Sequence, residues 1–366
     1  MYKILVVFGT RPEAIKMCPL VVELRKQKDI ECVVCITAQH REMLDQVNGL
    51  FGVKADYDLN IMQERQSLAD ITTKVLQGVS LVLDKEKPDI MLVHGDTTTS
   101  FAAALAAFYK NIPVGHVEAG LRTYDMQSPF PEEFNRQVVD LICSYYFVPT
   151  ETARKHLLDE GKEECKIYIT GNTVIDALKI TVDNSFTDDN IEWANDSRLV
   201  LLTSHRRENI GRNMKQIFQA VSDIVHEYQD VKVIYPVHKN PKVREIASQY
   251  FNDNDRVRLI EPLDVYQFHN YIQKCYLIMT DSGGIQEEAP SLGKPVLVLR
   301  ENTERPEGIA AGTLKLVGVN KESVYRGVKE LLDDKNLYES MSKASNPYGD
   351  GKASRRIVDV LLKVMR

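Results

Sequence analysis

Little in this sequence points to a metal, a membrane or a nucleic acid. Six cysteines in 366 residues are too few for a disulfide framework. Cys32 and Cys35 form a CxxC, but they lie inside the strand-like run ECVVCIT, where alternation sends them to opposite faces. They read as buried free thiols of a reducing compartment, not as a redox or zinc pair. The Cys and His spacings match no zinc pattern, and there is no aspartate-rich metal motif. No apolar run approaches the ~20 residues of a membrane span. The opening MYKILVVFGTRPE has a short apolar run that Arg11 and Glu13 follow at once, so it reads as a first strand and not as a signal peptide. A formal net charge of −6 gives no general attraction to nucleic acid or an anionic membrane, so any anion site must be local. Internal repeats and low-complexity tracts are absent, as are a Walker ending and a GxGxxG fingerprint.

What is present is the composition of a soluble globular protein, 43% hydrophobic and 27% charged, at a length that calls for two domains. Short apolar runs alternate with amphipathic segments. In the first half the runs are KILVVFG, ECVVCIT, IMLVHG, PVGHVE, YYFVP and KIYIT; in the second, LVLLTS, VKVIYPV, VRLIE, YLIMTD and PVLVLR. Continuous apolar strands imply a parallel sheet covered on both faces, and their alternation with helices implies an α/β architecture. The polar, acidic DNSFTDDNIEWANDS at 183–197 reads as an inter-domain region, and the helix VIDALKITV before it as hinge or second domain. The expected division is 1–170, 171–352 and a last helix at 353–366, behind the Gly-rich SNPYGDGKAS. Doubly wound domains place their sites at the C-terminal ends of strands.

Those strand ends carry charge. In FGTRPEAIKM, Arg11 precedes Pro12 and is expected extended, with Pro12 opening a helix. Arg11 and Lys16 are then placed to meet an anion near that helix N-terminus, although a surface Arg at a turn would look the same. HGDTTTS ends a strand at Asp96, which alone could be an N-cap. The next strand ends at Glu118 and leads into HVEAGLRTYDMQSPFPEEFNRQ, with Glu132, Glu133, Arg122 and Arg136. Two carboxylates on two strand ends, with more acids and cations close behind, exceed what capping requires.

In the second half, His205, Arg206 and Arg207 follow one strand, and His238 and Lys239 another. Ser282, Gly283 and Gly284 stand between a strand and a helix, where glycines let backbone N–H groups approach a phosphate. A tight turn is the plainer explanation of the glycines. Glu287 and Glu288, one turn further on, suit ribose hydroxyls or merely complement a helix dipole. Arg305 offers another cation. With no metal motif, a pyrophosphate here would be held by Arg, His and backbone N–H groups.

The segments FGTRPEAIKMCPL, HGDTTTSFAAALAAF, GHVEAGLRT, PFPEEFNR, TSHRREN, PVHKNP, TDSGGIQEEAPSLGKPVLVLRENTERPEG and NPYGDGKAS, in this order, resemble the non-hydrolysing UDP-N-acetylglucosamine 2-epimerases. The resemblance runs from residue 3 to the last helix. It implies a GT-B-like fold: two Rossmann-like doubly wound domains facing a cleft, with the last helix crossing back to the first. It implies reversible conversion of UDP-N-acetylglucosamine to UDP-N-acetylmannosamine through loss and re-addition of UDP. The enzyme would be a cytoplasmic homodimer without cofactor or metal, and its product would feed surface polysaccharides.

Position by position, the resemblance implies Asp96, Glu118 and Glu132 as catalytic carboxylates and His205 beside the diphosphate. It implies Arg11, Lys16, Phe268, Ser282, Gly284, Glu288 and Arg305 as ligand contacts, with Phe268 packing on uracil. Leu263 departs from the Gln of some members. A second, activating UDP-N-acetylglucosamine would meet Gln39, Arg65, Glu132, Arg206 and His238, with Glu42 where some relatives have Gln. Phe130 and Phe134 are expected to bury Glu132 and tune its acidity. A GT-B glycosyltransferase, a hydrolysing 2-epimerase and a non-catalytic UDP-sugar sensor are the alternatives.

Overall fold

The computed structural model describes residues 1–38, 41–63, 66–303 and 305–365, apart from the side chains of residues 41–43. Thirteen strands form two parallel sheets among the described residues. The first contains β1 (Tyr2–Phe8), β2 (Ile30–Ile36), β3 (Tyr57–Asp58), β4 (Ile90–His94), β5 (Val114–Val117), β6 (Tyr145–Val148) and β7 (Ile167–Ile169). The second contains β8 (Arg198–Thr203), β9 (Val231–Pro236), β10 (Val257–Ile260), β11 (Leu277–Thr280), β12 (Val296–Val298) and β13 (Leu314–Leu316). The orders are β3-β2-β1-β4-β5-β6-β7 and β10-β9-β8-β11-β12-β13. Each chain of strands therefore grows outward one way, returns, and grows the other way. The reversal lies between β1 and β4 in the first sheet and between β8 and β11 in the second. A crevice opens at the C-terminal strand ends of such a switch point.

Burial on both faces explains the unbroken apolar runs. Successive residues of β8 enter different cores: Val200 and Leu202 pack in one cluster, Leu199 and Leu201 in the other. In the first sheet, Leu5, Val7, Met91 and Val93 pack against the helices Leu68–Glu86 and Thr98–Tyr109. The alanines of the latter helix allow a close approach to the strands. Strands β3 and β13 have no counterpart in the apolar runs. Both are short edge strands, and β13 interrupts its apolar residues with Lys315. All six cysteines are free, and burial pushes the Cys32 and Cys35 thiols up to about 12.

Two compact units result, Met1–Ile180 with Tyr348–Arg366, and Thr181–Pro347. The helix Thr173–Thr181, assigned from sequence to the hinge or the second domain, lies almost wholly in the first unit. The reason is its Asp176, which accepts the N–H groups of Ala353 and Ser354 at 3.1 and 2.8 Å and so anchors the first turn of the last helix, Ala353–Val364. That helix buries Ile357, Val358 and Leu361 and packs on the helix Arg11–Leu24. The acidic stretch at 183–197 is not a bare linker. It folds into the short helix Asp189–Trp193 and joins the second unit through Tyr271, whose hydroxyl donates to Asp188 at 2.6 Å. No helix among the described residues is long and apolar enough to cross a membrane.

Gly9, at the end of β1, is held by close packing. A Cβ there would stand 1.9 Å from the Thr37 hydroxyl oxygen and 2.7 Å from that of Thr99. These two hydroxyls bond each other at 3.1 Å, so neither is free to swing away without loss. We expect Gly9→Ala to lower unfolding stability by about 1–3 kcal/mol, the usual range for overpacking. Urea denaturation measures it, and an unchanged midpoint would show that Thr37 yields without cost.

Candidate active site

At the first switch point a buried carboxylate joins the two strand ends. Glu13 accepts the N–H groups of Gly9 and Thr10 after β1, at 3.0 and 2.7 Å. Its other oxygen accepts the Thr97 and Ser100 hydroxyls after β4, at 2.7 and 3.0 Å. Thr10 is the N-cap and the extended residue, so the helix begins at Arg11, one residue earlier than Pro12 suggests. The N-cap after β4 is Thr97. Asp96 is therefore not consumed in capping, and it pairs with Arg136 at 2.5 Å.

Glu118 follows β5, the neighbour of β4, with φ at +65°, a left-handed conformation uncommon outside glycine. Its carboxylate is 9% exposed and pairs with Lys16. Asn172 donates to it at 2.7 Å, and His94 Nε2 stands 3.7 Å away. Burial alone would push this carboxyl up, but Lys16 and His94 together outweigh burial and hold it well below the usual carboxylate range. Lys16 and Glu118 are thus brought together, while Arg11, the first helical residue, is half-buried.

Beneath these two acids lies a polar network. His116 is fully buried, with Nδ1 2.6 Å from Asp140 and Nε2 2.7 Å from the Gly95 carbonyl. Asp140 also takes the Gly120 N–H at 3.1 Å and Arg122 at 2.7 Å. The residues flanking Asp96 and Glu118 are therefore tied to one carboxylate. Arg122, a cation suspected of site work, is used here and on Glu160.

Glu132 and Glu133 divide their tasks. Glu133 is fully buried and accepts the Thr123 and Tyr124 N–H groups at 3.1 and 2.9 Å, fixing the loop. Glu132 opens the helix Glu132–Ile142 and stays partly exposed. Phe130 and Phe134 are 61% and 45% exposed, so in this unit they do not form the burying pocket expected around Glu132. A Phe needs a facing apolar surface to bury a neighbour, and these rings keep a large open area.

In the second unit, Asp281 follows β11 and plays the part of Glu13. It accepts the His205 and Arg206 N–H groups at 2.9 and 3.0 Å, and Asn209 at 3.0 Å. His205 stacks on His238, with centroids 5.6 Å apart and planes 8° apart. Partial burial pushes the His205 imidazole below its ordinary value, while the nearby Asp281 opposes this.

Ser282 precedes the helix Gly283–Ser291 without a side-chain cap bond. A Cβ on Gly283 would lie 3.8 Å from the Arg206 guanidinium and 3.9 Å from that of Arg305, so both cations converge on this N-terminus. First-turn N–H groups and two guanidinia are what an anion requires. Glu287 is buried and pairs with Arg305, which removes it from the ribose role considered above; Glu288 keeps 14% exposure. Phe268 and Leu263 are partly buried against the same core cluster. Gln39 and Arg65 lie outside the described residues, as does the side chain of Glu42.

Glu13, Asn172, His116, Asp140 and Asp281 do not stand out from the sequence as site residues. Only Asp281 had a usable signal, since it ends a strand and directly precedes Ser282.

A family model described as UDP-N-acetylglucosamine 2-epimerase matches residues 22–362. A UDP-N-acetylglucosamine 2-epimerase of Bacillus subtilis is 58% identical over 360 residues, covering 98% of this chain and 95% of the relative. A solved structure from Listeria monocytogenes has a TM-score of 0.95 at 52% identity, covering 99% of this chain and 96% of its own. A UDP-GlcNAc 2-epimerase from Neisseria meningitidis, solved with UDP-GlcNAc bound, has a TM-score of 0.90 at 50% identity, covering 99% and 100%.

The buried pair of Lys16 and Glu118 yields a test. Glu118 lies below its ordinary value of 4.5 when folded. The pair's stabilisation is therefore complete above that pH and is lost as pH falls through the lower folded value. In Lys16→Met, burial prevails and the Glu118 carboxyl rises. We expect a loss of about 3–5 kcal/mol near pH 8, as for other broken buried pairs. The loss should shrink toward pH 5, as Glu118 takes a proton. Equal losses by urea denaturation at both pH values would rule out the unpaired charge as the cause.

Proposed function

The chain belongs to the UDP-N-acetylglucosamine 2-epimerase family, and from that premise we propose that it reversibly interconverts UDP-N-acetylglucosamine and UDP-N-acetylmannosamine without hydrolysing them. The observation that carries the mechanism is the placement of Asp96 and Glu118 on adjacent strand ends, each beside a cation, Arg136 and Lys16. We assign proton transfer to these carboxylates with Glu132, and the nucleotide to the second unit.

The C2 hydrogen of the sugar is not acidic, because no carbonyl is conjugated to C2. Departure of UDP changes this. The C1–O bond breaks, its electron pair leaves with the β-phosphate, and positive charge develops on the ring. A carboxylate then takes the C2 proton, and a C1–C2 double bond forms, giving 2-acetamidoglucal and UDP. Glu118 is ionised at neutral pH beside Lys16 and His94, so it is present in the form that can accept that proton. Re-addition reverses the steps with a proton delivered to the other face of C2, which requires a second acid.

The helix N-terminus at Gly283 and Gly284, with Ser282, Arg305 and His205, would hold the departing diphosphate. Phe268 would pack on uracil and Glu288 would bind ribose hydroxyls. Arg11 would add a further ligand contact. The exposed Leu81, Phe108, Tyr109 and Leu141 on neighbouring helices support a homodimer. We place the enzyme in the cytoplasm, supplying an N-acetylmannosamine donor for surface polysaccharides.

The direct test is incubation with UDP-N-acetylglucosamine alone, followed by NMR. The C2 epimer is expected. Free sugar would indicate a hydrolysing enzyme, and no change a sensor or a glycosyltransferase lacking its acceptor. In D₂O the product should carry deuterium at C2. Asp96→Asn, Glu118→Gln and Glu132→Gln should each lower the rate by at least ~10²–10⁴-fold, the usual contribution of an acid or base. Full retention of the C2 hydrogen, or near-normal rates in all three variants, would overturn the mechanism.

We further propose that a second UDP-N-acetylglucosamine activates the enzyme through Gln39, Glu42, Arg65, Glu132, Arg206 and His238. UDP-N-acetylmannosamine alone should then react with a lag that a trace of UDP-N-acetylglucosamine abolishes. An immediate full rate with pure UDP-N-acetylmannosamine would count against it.

A further inference from the structure

Asp281 uses its two oxygens unequally. The side chain is fully buried at the second switch point. Oδ2 accepts four donors: the Ser204 hydroxyl at 3.1 Å, the His205 N–H at 2.9 Å, the Arg206 N–H at 3.0 Å and the Asn209 amide at 3.0 Å. An oxygen that accepts four donors carries no proton of its own. Oδ1 is buried and has no hydrogen-bond partner among the described residues. It faces Nδ1 of His205 at 3.5 Å. The four bonds on Oδ2 fix the carboxylate firmly. The His205 ring is 41% exposed and is held on one side by its stack on His238. A small ring rotation within that stack closes the gap to an ordinary charge-assisted bond of about 2.8 Å.

We propose that Asp281 is a positioning residue for His205: it accepts the Nδ1–H, fixes that tautomer, and leaves Nε2 for the diphosphate. The proposal rests on the reading above, in which His205 meets the diphosphate. The proton count is simple. The neutral ring carries one proton, on Nδ1, directed at Asp281. A second proton on Nε2 makes an imidazolium whose charge Asp281 balances, and the Nε2–H donates to a phosphate oxygen as UDP departs. Asp281 keeps its charge throughout, and Nδ1 keeps its proton.

The other groups around the ring come from two elements. His238 follows β9, while Arg206 and Glu208 belong to the loop of His205 itself. Partial burial, His238 and Arg206 oppose a positive ring, while Asp281 and Glu208 favour it. Glu208 is exposed and Asp281 buried, so Asp281 is the acceptor fixed in place.

Asp281→Asn isolates the effect. The amide oxygen can replace Oδ2 toward the four donors, while the amide NH₂ stands where Oδ1 was. A donor then faces Nδ1, so the neutral ring must move its proton to Nε2. In ¹⁵N NMR of the ligand-free protein, His205 should show protonated Nδ1 in the native chain and protonated Nε2 in the variant. Its titration midpoint should fall in the variant. The alkaline limb of kcat should move to lower pH, and kcat should drop by at least ~10²-fold, the scale of a general acid lost. KM should change less than about threefold, because Nε2–H still donates to the ground-state diphosphate. Combining Asp281→Asn with His205→Asn should cost little more than His205→Asn alone.

An unchanged tautomer and midpoint in the variant, or fully additive losses, would overturn the proposal. If the variant does not fold, the native protein still decides: a neutral His205 protonated on Nε2 would overturn it. The NMR needs no substrate. If the native protein fails to epimerise UDP-N-acetylglucosamine, the functional reading falls, and the ring measurement still reports whether the Asp281 pairing exists.

Discussion

The constraint on which both halves of this chain depend is the supply of acceptors where parallel strands stop. Past the last ladder bond, a strand-to-helix turn presents backbone N–H groups that the sheet cannot satisfy. A switch point concentrates two such turns side by side. The chain meets the need with one buried carboxylate per switch point. Glu13 takes donors from the turns after β1 and β4, and Asp281, itself just past β11, takes its donors from the turn after β8. Each of these two carboxylates accepts four bonds at once, shared between the oxygens in Glu13 and all on one oxygen in Asp281, and bonds to a charged acceptor are worth about 1.5–3 kcal/mol apiece. Asp140 and Asp176 apply the same device to the turn after β5 and to the last helix.

This device separates acids that hold backbone turns from acids that do not. Glu13, Glu133, Asp140 and Asp281 are buried and accept backbone N–H groups, Glu133 and Asp140 beside an arginine as well. Asp96 and Glu118 instead meet side-chain cations, Arg136 and Lys16, and retain some exposure. A cation on a side chain can move aside for a ligand, and backbone N–H groups in a turn cannot do so without unfolding it. An acid that must trade protons is better served by the first kind of partner. The residue type alone does not reveal which kind a glutamate has, as the adjacent Glu132 and Glu133 show.

The parallel α/β fold was legible because burial on both faces writes itself as unbroken apolar runs. Edge strands β3 and β13 were not, since an edge strand is short and half-covered. Asp96, Glu118, His205 and Ser282 could be located because they immediately follow such runs. Glu13 could not, because its partners are 84 and 87 positions away for the hydroxyls of Thr97 and Ser100. Asn172 is 54 positions from Glu118. The expected burial of Glu132 by Phe130 and Phe134 failed for the same reason: an aromatic beside an acid in sequence buries it only if something else covers the ring.

The two switch points share one strand order and carry opposite charge. Acids dominate the first, with Asp96 and Glu118 each held by one cation. Cations dominate the second, where Arg206 and Arg305 converge on Gly283 at an open helix N-terminus. A chain of net charge −6 repels anions at long range, so affinity for any anion would have to be created within a few ångströms. Guanidinia alone would do this at the cost of mutual repulsion. Glu287 relieves that cost by pairing with Arg305 from below, and it leaves the guanidinium directed at the helix end. The buried acid thus holds the guanidinium in place, just as Lys16 helps to keep Glu118 ionised. In each unit a charge at the strand ends is held by a charge of the other sign, and this lets one topology present opposite charges.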